Sequence, residues 1–145
     1  MISLILKFTL FSGTYIRTHV ENYGSFLKKI GVGNFLRRNA ILSSIETNGV
    51  IKEIHVSDGV WKFTTKTGAN SSEIEFRIGI PFLQTLNGAR YKTTVTLDRS
   101  IMKSDCKAIQ FGKKSFQIIR KFSFNGFEST IICDDIVCKE FFKRQ

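Results

Sequence analysis

The sequence contains few cysteines, and their spacing forms no recognisable site. Cys106, Cys133 and Cys138 are an odd number with no CxxC pair. This pattern indicates neither a disulfide framework nor a zinc site, so we expect reduced thiols that fill a core. No motif for another metal or for a cofactor is found either.

Long hydrophobic runs are also missing. The opening MISLILKFTL is apolar, but Lys7 interrupts it and no small-residue cleavage site follows. It is therefore a poor signal peptide, and it is too short to span a membrane. We interpret it as part of a lengthened first strand, with a degenerate secretion signal as the alternative.

The usual arrangements of catalytic side chains are absent. His19 and His55 lie on different predicted elements, and no serine, cysteine or acidic residue stands near either in a recognisable arrangement. Glycine loops of the kind that cradle phosphates are missing too. We therefore expect histidines that are solvated or satisfied by local hydrogen bonds, and a protein that is not an enzyme.

Acidic residues are scarce relative to basic ones. Twelve Asp and Glu against 22 Lys and Arg leave a net charge of +10, which predicts attraction to nucleic acid, a phospholipid surface or acidic ligands. Charge alone does not choose among these. The 145 residues contain no repeats, linkers or low-complexity segments, so residues 1–145 are expected to form a single domain with a substantial core.

Short alternating runs separated by turn pairs predict ten strands. The clearest hairpin turns are Asp58-Gly59, Asn87-Gly88, Phe111-Gly112 and Asn125-Gly126. Strands joined by tight turns favour an antiparallel meander that closes into a barrel. The predicted strands are Ile5 to Arg17, Val50 to Val56, Val60 to Thr67, Ser72 to Ile78, Pro81 to Thr85, Arg90 to Leu97, Ile101 to Gln110, Lys114 to Ser123, Phe127 to Cys133 and Ile136 to Arg144.

Two short helices are predicted between the first two strands. Apolar residues at i, i+3, i+4 and i+7 form one face of the first helix: Tyr23, Phe26, Leu27 and Ile30. Gly31 is placed to end this helix, and Asn34 can cap the next. In that second helix Leu36 and Ala40 share a face, away from Arg37 and Arg38.

The same region resembles the N-terminal signature of the intracellular fatty-acid-binding protein family, also called cytosolic lipid-binding proteins, within the calycin superfamily. No gap is needed across thirty residues, although the family usually has Trp where this chain has Tyr15. The matching residues are Phe11, Gly13, Thr14, Tyr15, Glu21, Asn22, Tyr23, Phe26, Leu27, Lys28, Gly31, Val32, Gly33, Arg37, Arg38 and Ala40.

The resemblance implies an all-β fold, a ten-stranded antiparallel up-and-down β-barrel, or clam, with a helix-turn-helix lid at about residues 20–45. It implies non-catalytic intracellular binding and transport of a long-chain fatty acid or related hydrophobic ligand in the barrel cavity, without a cofactor. The expected protein is a monomer in the cytoplasm, with the nucleus as a second location, while the apolar N-terminus leaves secretion open.

The family usually binds the ligand carboxylate with an Arg on the eighth strand and an Arg-x-Tyr pair on the last. The first Arg carries over to Arg120, unless a one-residue slip turns Gln117, Ile119 and Lys121 inward instead. On the last strand, Glu140 takes the arginine position and Phe142 the tyrosine position.

Strand alternation would turn Cys138, Glu140 and Phe142 into the cavity. A carboxylate there needs a partner, so we hypothesise an internal pair between Glu140 and Arg120. This pair would favour a neutral headgroup, such as an alcohol, ester or amide, or a carboxylate held by Arg120 alone. The alternative is a different register that places Glu140 in solvent.

By the same resemblance, the lid residues Tyr23, Phe26, Leu27, Val32, Leu36 and Ala40 would line the pocket. The alternative is that this stripe is ordinary core. On the outside of the lid, a basic patch would dock on anionic phospholipid, unless it is simply a solvated helix face. The patch consists of Lys28, Lys29, Arg37 and Arg38.

Two other functions compete with the carrier. A nucleic-acid-binding barrel could use the +10 charge and the fourteen Phe residues, but the aromatics alternate like core and the basic residues are scattered. Nucleic acid is therefore not the expected partner. A secreted lipocalin-like carrier is disfavoured by the helix pair after the first strand and by the lack of a disulfide pattern.

Overall fold

The computed structural model describes residues 10–33 and 49–145, which form ten strands and one helix. The ten strands follow one another along the chain as predicted, and one helix lies between the first two strands. They are β1 Gly13–Glu21, α1 Tyr23–Lys29, β2 Ile51–Ser57, β3 Val60–Thr67, β4 Asn70–Phe76, β5 Phe82–Leu86, β6 Ala89–Asp98, β7 Ile101–Ala108, β8 Phe116–Ser123, β9 Gly126–Cys133 and β10 Ile136–Arg144.

All ten strands belong to one antiparallel sheet that is nearly a closed barrel. Its order is β4-β3-β2-β1-β10-β9-β8-β7-β6-β5, so the first and last strands of the chain pair with each other. The predicted meander is confirmed. The edges β4 and β5 are not hydrogen-bonded to each other, and Gly79 lies between them in the left-handed region at φ 79°.

The start of the first strand was predicted wrongly. Leu10 and Phe11 are helical, and β1 begins only at Gly13 and continues to Glu21; predicted residues 5–9 lie outside the described part. The reason is that Phe11 turns inward and is fully buried, with ring centroids 5.1 Å from Trp61 and 4.9 Å from Phe122. This turn therefore covers one end of the barrel.

Gly31 ends the first helix as predicted. The Val32 N–H donates to the Leu27 carbonyl at 2.9 Å and the Gly31 N–H to the Lys28 carbonyl at 3.1 Å. With Gly31 at φ 93°, these are the bonds of a Schellman motif. The predicted second helix, including its cap Asn34, lies outside the described residues.

Of the four clearest predicted turns, two have the geometry of two-residue hairpins, one does not, and Asn125-Gly126 is shifted by one residue because Gly126 is already the first residue of β9. Asp58-Gly59 and Asn87-Gly88 both have two successive positive φ angles, which match the twist of the joined strands. Phe111-Gly112 instead lies within a loop of residues 109–115, because β7 ends at Ala108 and β8 begins at Phe116.

The core consists of two apolar clusters at opposite ends of the barrel. The first includes Phe11 and Tyr15, and the second includes Phe26 and Leu27 beneath the helix. Strands β6 to β10 each contribute one end to the first cluster and the other end to the second, so the space between them lies mid-barrel. Within the described ranges, no helix has the length and apolar character needed to cross a membrane.

Candidate functional site

A layer of polar side chains crosses the barrel between the two apolar clusters. On strand after strand, one inward position in this layer is polar while the next inward positions on either side are apolar. Arginine and lysine are rarely buried without a reason, so this layer is the first candidate for a binding site. We call it the polar belt, and it consists of Arg17, Lys52, Thr93, Ser104, Arg120, Ser129 and Glu140.

Glu140 pairs with Arg17, which corrects the predicted pair with Arg120. The Arg17 guanidinium donates to the Glu140 carboxylate at 3.0 Å, and the two side chains are only 5% and 15% exposed. Phe142 lies opposite Arg17 in the β1–β10 register, and Glu140, two residues earlier, shares its face. The carboxylate is thus compensated from the neighbouring strand rather than from across the barrel.

Arg120 faces the interior, as the resemblance to the family predicts. It is 8% exposed, whereas the next residue, Lys121, is in solvent. The guanidinium donates to the Ser104 hydroxyl at 3.2 Å and lies 5.4 Å from the centre of the Phe63 ring, while its Nε has no hydrogen-bond partner among the described residues. Burial lowers the pKa of Arg120, and Glu140 opposes this effect.

Lys52 is the third cation of the belt. Its ammonium group lies 5.8 Å from the ring centre of Phe63 and 5.6 Å from that of Phe142. It has no carboxylate within salt-bridge distance in the described part of the chain. Burial, followed by the positive charge of Arg120, lowers the pKa of Lys52 to about 8.

A cavity of about 540 Å³ lies beside the belt, which is within the size range of small-molecule sites. It extends from Lys52 and Arg120 to the unpaired edges β4 and β5, where Leu83 lines it and is 57% exposed. The cavity therefore opens through the gap between these edges. Its lining combines a cationic end with apolar walls from Phe63, Ile74, Phe76, Phe82 and Val95.

Few of the predicted ligand-contacting residues line this cavity. Arg120 does, whereas Phe26, Leu27, Val32 and Cys138 are buried in the cluster beneath the helix. These side chains fill that end of the barrel because a helix lying on the strand ends must bury its apolar face. The alternative interpretation, that these side chains are ordinary core, therefore applies to them.

The remaining predicted site residues lie near the belt, on α1 or outside the described part; on α1, Lys28 is exposed and Lys29 forms an ion pair with Asp135 at 3.0 Å. Phe142 belongs to the first cluster, and the Tyr23 ring lies 5.7 Å from the Arg17 guanidinium. Burial and the neighbouring Glu140 raise the pKa of Tyr23. The structure does not describe four of the predicted positions, namely Leu36, Ala40, Arg37 and Arg38.

Sequence reasoning missed Arg17 and Lys52, although a signal for each exists. Ile54 and Val56 are buried on β2, so Lys52 shares their inward face by alternation. Arg17 likewise shares the face of the fully buried Tyr15. Both positions lie in short runs whose apolar residues alone carry the strand prediction.

The three cysteines lie in the cluster beneath the helix as free, buried thiols. Burial raises the pKa of Cys138 to about 12, so its thiolate is scarce at neutral pH and it is a poor nucleophile. His19 and His55 are exposed. Within residues 10–33 and 49–145, no group of three His, Cys, Asp or Glu side chains could hold a metal ion.

Comparison with known proteins gives similarity along nearly the whole chain, although no protein-family model matches. The chain is 31% identical over 137 residues to a fatty acid-binding protein of Tyrophagus putrescentiae, covering 92% of this chain and 97% of that protein. It is 30% identical over 142 residues to cellular retinoic acid-binding protein 1 of Takifugu rubripes, covering 93% and 98%. Apo lipid binding protein 8 of Caenorhabditis elegans shares the fold, with a TM-score of 0.85, 23% identity and coverage of 100% and 99%.

Proposed function

Because the chain belongs to the fatty acid-binding protein family, we propose that it carries a long-chain carboxylate, such as a fatty acid, without chemical change. The two curated relatives are named as binding proteins for fatty acid and for retinoic acid. Both of these named ligands combine an apolar chain with a carboxylate. This similarity favours a carrier over the nucleic-acid-binding barrel and the secreted lipocalin.

The observation that supports an anionic headgroup is the charge of the polar belt. Glu140 compensates Arg17, and this leaves Lys52 and Arg120 beside the cavity with no carboxylate of their own in the described chain. Two uncompensated cations in a desolvated site favour an anion. The pairing of Glu140 with Arg17 therefore removes the reason to expect a neutral headgroup.

The apolar walls account for most of the binding energy. At about 0.8 kcal/mol per buried CH₂, a long acyl chain contributes on the order of 10 kcal/mol gross. A charge-assisted headgroup contact contributes about 1.5 to 3 kcal/mol. The chain would extend from Arg120 along Phe63 and Phe76 toward the gap between β4 and β5.

Native mass spectrometry of the purified protein tests the proposal. The first sample is analysed with its co-purified lipids, which are extracted and identified, and a delipidated sample is then mixed with oleate. A one-to-one acyl adduct on the monomer is the expected result. Absence of any adduct, together with salt-sensitive binding to single-stranded nucleic acid, would overturn the carrier proposal.

Replacing Arg120 with glutamine is expected to weaken oleate binding by about tenfold to a hundredfold, because one charge-assisted contact is lost. Binding of oleyl alcohol should change much less, since it has no carboxylate. Fluorescent-probe displacement measures both ligands. Lys121→Gln is the matched control, because it removes the same charge from the adjacent exposed position; an equal loss in both variants would contradict the assignment of Arg120.

Oleate affinity is expected to fall by up to about tenfold as the pH rises from about 8 to about 10. The pKa of Lys52 is about 8 in the free protein, and a bound carboxylate must raise it, so binding takes up a proton in this range. Above this pH range, the Lys52 amine is neutral and no longer attracts the carboxylate. Isothermal titration calorimetry in buffers of different ionisation enthalpy measures the proton uptake. If Lys52→Gln showed the same pH dependence of oleate affinity, the assignment of that dependence to Lys52 would be refuted.

Release of the ligand is proposed to occur at an anionic membrane. The loop of residues 109–115 lies beside the end of α1, where Lys113 reaches the Gly31 carbonyl at 3.4 Å. Phe111 at its tip is fully exposed, and Lys28 and Lys113 lie in solvent at the same end. An exposed aromatic ring among lysines suits an anionic lipid surface.

Phe111→Asp is expected to slow transfer of a fluorescent fatty acid to phosphatidylserine vesicles severalfold, with little effect on transfer to phosphatidylcholine vesicles. The control is Phe124→Asp, because Phe124 is 64% exposed in the turn between β8 and β9, at the other end of the barrel. Equal slowing in both variants would contradict a specific docking loop. We propose that this carrier acts as a monomer in the cytoplasm, with the nucleus as a second location.

A further inference from the structure

We propose that Lys52 captures long-chain aldehydes reversibly as an imine within the same cavity. This inference rests on the proposed function in one respect, namely that the cavity admits a long acyl chain. It adds a covalent step that carboxylate binding does not need. The ligand class is an aliphatic aldehyde, whose carbonyl carbon would reach the position that the carboxylate carbon takes in a fatty acid.

The first support is the position of the amine. Lys52 lines the cavity and lies between the Phe63 and Phe142 rings, while Glu140 is committed to Arg17. Among the described residues it makes no hydrogen bond or ion pair. An amine without a carboxylate partner is free to approach a bound carbonyl group.

The second support is that the amine is partly neutral near physiological pH. With the pKa of Lys52 at about 8, the neutral fraction at neutral pH is on the order of a hundredfold larger than for an ordinary lysine. The neighbouring Arg120 guanidinium contributes to this shift and also provides hydrogen-bond donors for a carbonyl oxygen. Position and proton state thus favour the same reaction.

The reaction balances without an oxidant or a reductant. The Lys52 nitrogen forms a bond to the aldehyde carbon, and a proton passes from nitrogen to oxygen to give a carbinolamine. Loss of water then forms the C=N bond, and addition of water reverses the step. The apolar walls would hold the alkyl chain and slow that hydrolysis by limiting water.

The experiment incubates the delipidated protein with hexadecanal and sodium cyanoborohydride, which reduces any imine to a stable secondary amine. Intact mass should increase by the mass of the aldehyde less one oxygen atom, once per protein. Peptide mapping should place the modification on Lys52 and show at least tenfold less on Lys62, a half-exposed lysine on β3. Excess oleate should suppress the labelling.

Lys52→Arg keeps the positive charge but cannot form this imine, so labelling should be lost, whereas Lys62→Arg should be labelled like the parent protein. Circular dichroism melting checks that both variants fold. The peptide mapping uses the parent protein, so its result does not depend on the folding of either variant. Labelling spread evenly over exposed lysines, or none at Lys52 in protein that binds oleate, would overturn the imine proposal alone. Failure to bind both oleate and hexadecanal would instead overturn the proposed function.

Discussion

Replacing Glu140 with leucine is expected to lower the free energy of unfolding by about 3 to 5 kcal/mol, because it leaves the buried Arg17 charge without its partner. Urea denaturation followed by tryptophan fluorescence measures the change. Trp61, the single tryptophan, is buried in the first apolar cluster and reports its unfolding. A change below about 1 kcal/mol would contradict a buried, mutually dependent pair.

Two further variants distinguish the contribution of the Arg17–Glu140 ion pair to stability from that of the Glu140 side chain alone. Glu128→Leu removes a carboxylate from the neighbouring strand that is 40% exposed and 3.7 Å from Lys139, so it should cost less than about 1 kcal/mol. The double variant Arg17→Met, Glu140→Leu removes both buried charges, and it should recover most of the loss. No recovery would mean that Glu140 stabilises the barrel through something other than Arg17.

Replacing Arg144 with alanine is expected to destabilise the protein by about 2 to 4 kcal/mol, because this one side chain joins the last strand to residues 10–15 and to the turn between β8 and β9. Its guanidinium donates to the Ser12 carbonyl and to the Tyr15 hydroxyl, both at 2.8 Å, to the Phe124 carbonyl at 2.9 Å, and to the Leu10 carbonyl. Its charge also lies 4.9 Å from the Tyr15 ring centre. Removing it leaves several carbonyl groups without a partner.

The matched control for this variant is Lys143→Ala, which removes a neighbouring exposed cation from the same strand. It should change stability by less than about 0.5 kcal/mol. Thermal melting at equal protein concentration compares the two. Similar melting temperatures in both variants would show that the contacts of Arg144 do not hold the turn at Leu10 and Phe11 in place.

Arg144 also contacts Tyr15, the position at which the sequence departs from the family signature that it resembles. Where the family usually has Trp, Tyr15 is fully buried, and its hydroxyl donates to the Phe11 carbonyl at 2.7 Å while accepting from Arg144. Burial raises its pKa to about 12, although Arg144 opposes this effect. The tyrosine hydroxyl thus links the last strand to the turn that closes the barrel.

Local patterns predicted most of the fold. Hairpin turns such as Asp58-Gly59 and Asn87-Gly88, the alternation along each strand and the helix end at Gly31 each depend on a few adjacent residues. Such features are encoded within a short window and can be recognised there. The beginning of β1 was predicted wrongly because the inward turn of Phe11 depends on contacts with Trp61 and Phe122, which are distant along the chain.

The partner of Glu140 could not be deduced in the same way. Arg17 and Glu140 are separated by 123 positions, and their contact depends on how β1 pairs with β10. That pairing shifts by one residue between Arg17 and His19. A shift of this kind changes which side chains share a face, and no local pattern in either strand reveals it.

The sequence by itself determined the strand count, the helix that follows the first strand and the family, and the family resemblance assigned Arg120 to the interior. Only the tertiary structure decided which charges meet: Glu140 with Arg17, leaving Lys52 and Arg120 facing the cavity. The physical reason is that alternation along a strand is a property of neighbouring residues, whereas the charge of an interior depends on the register between strands that closure of the barrel brings together.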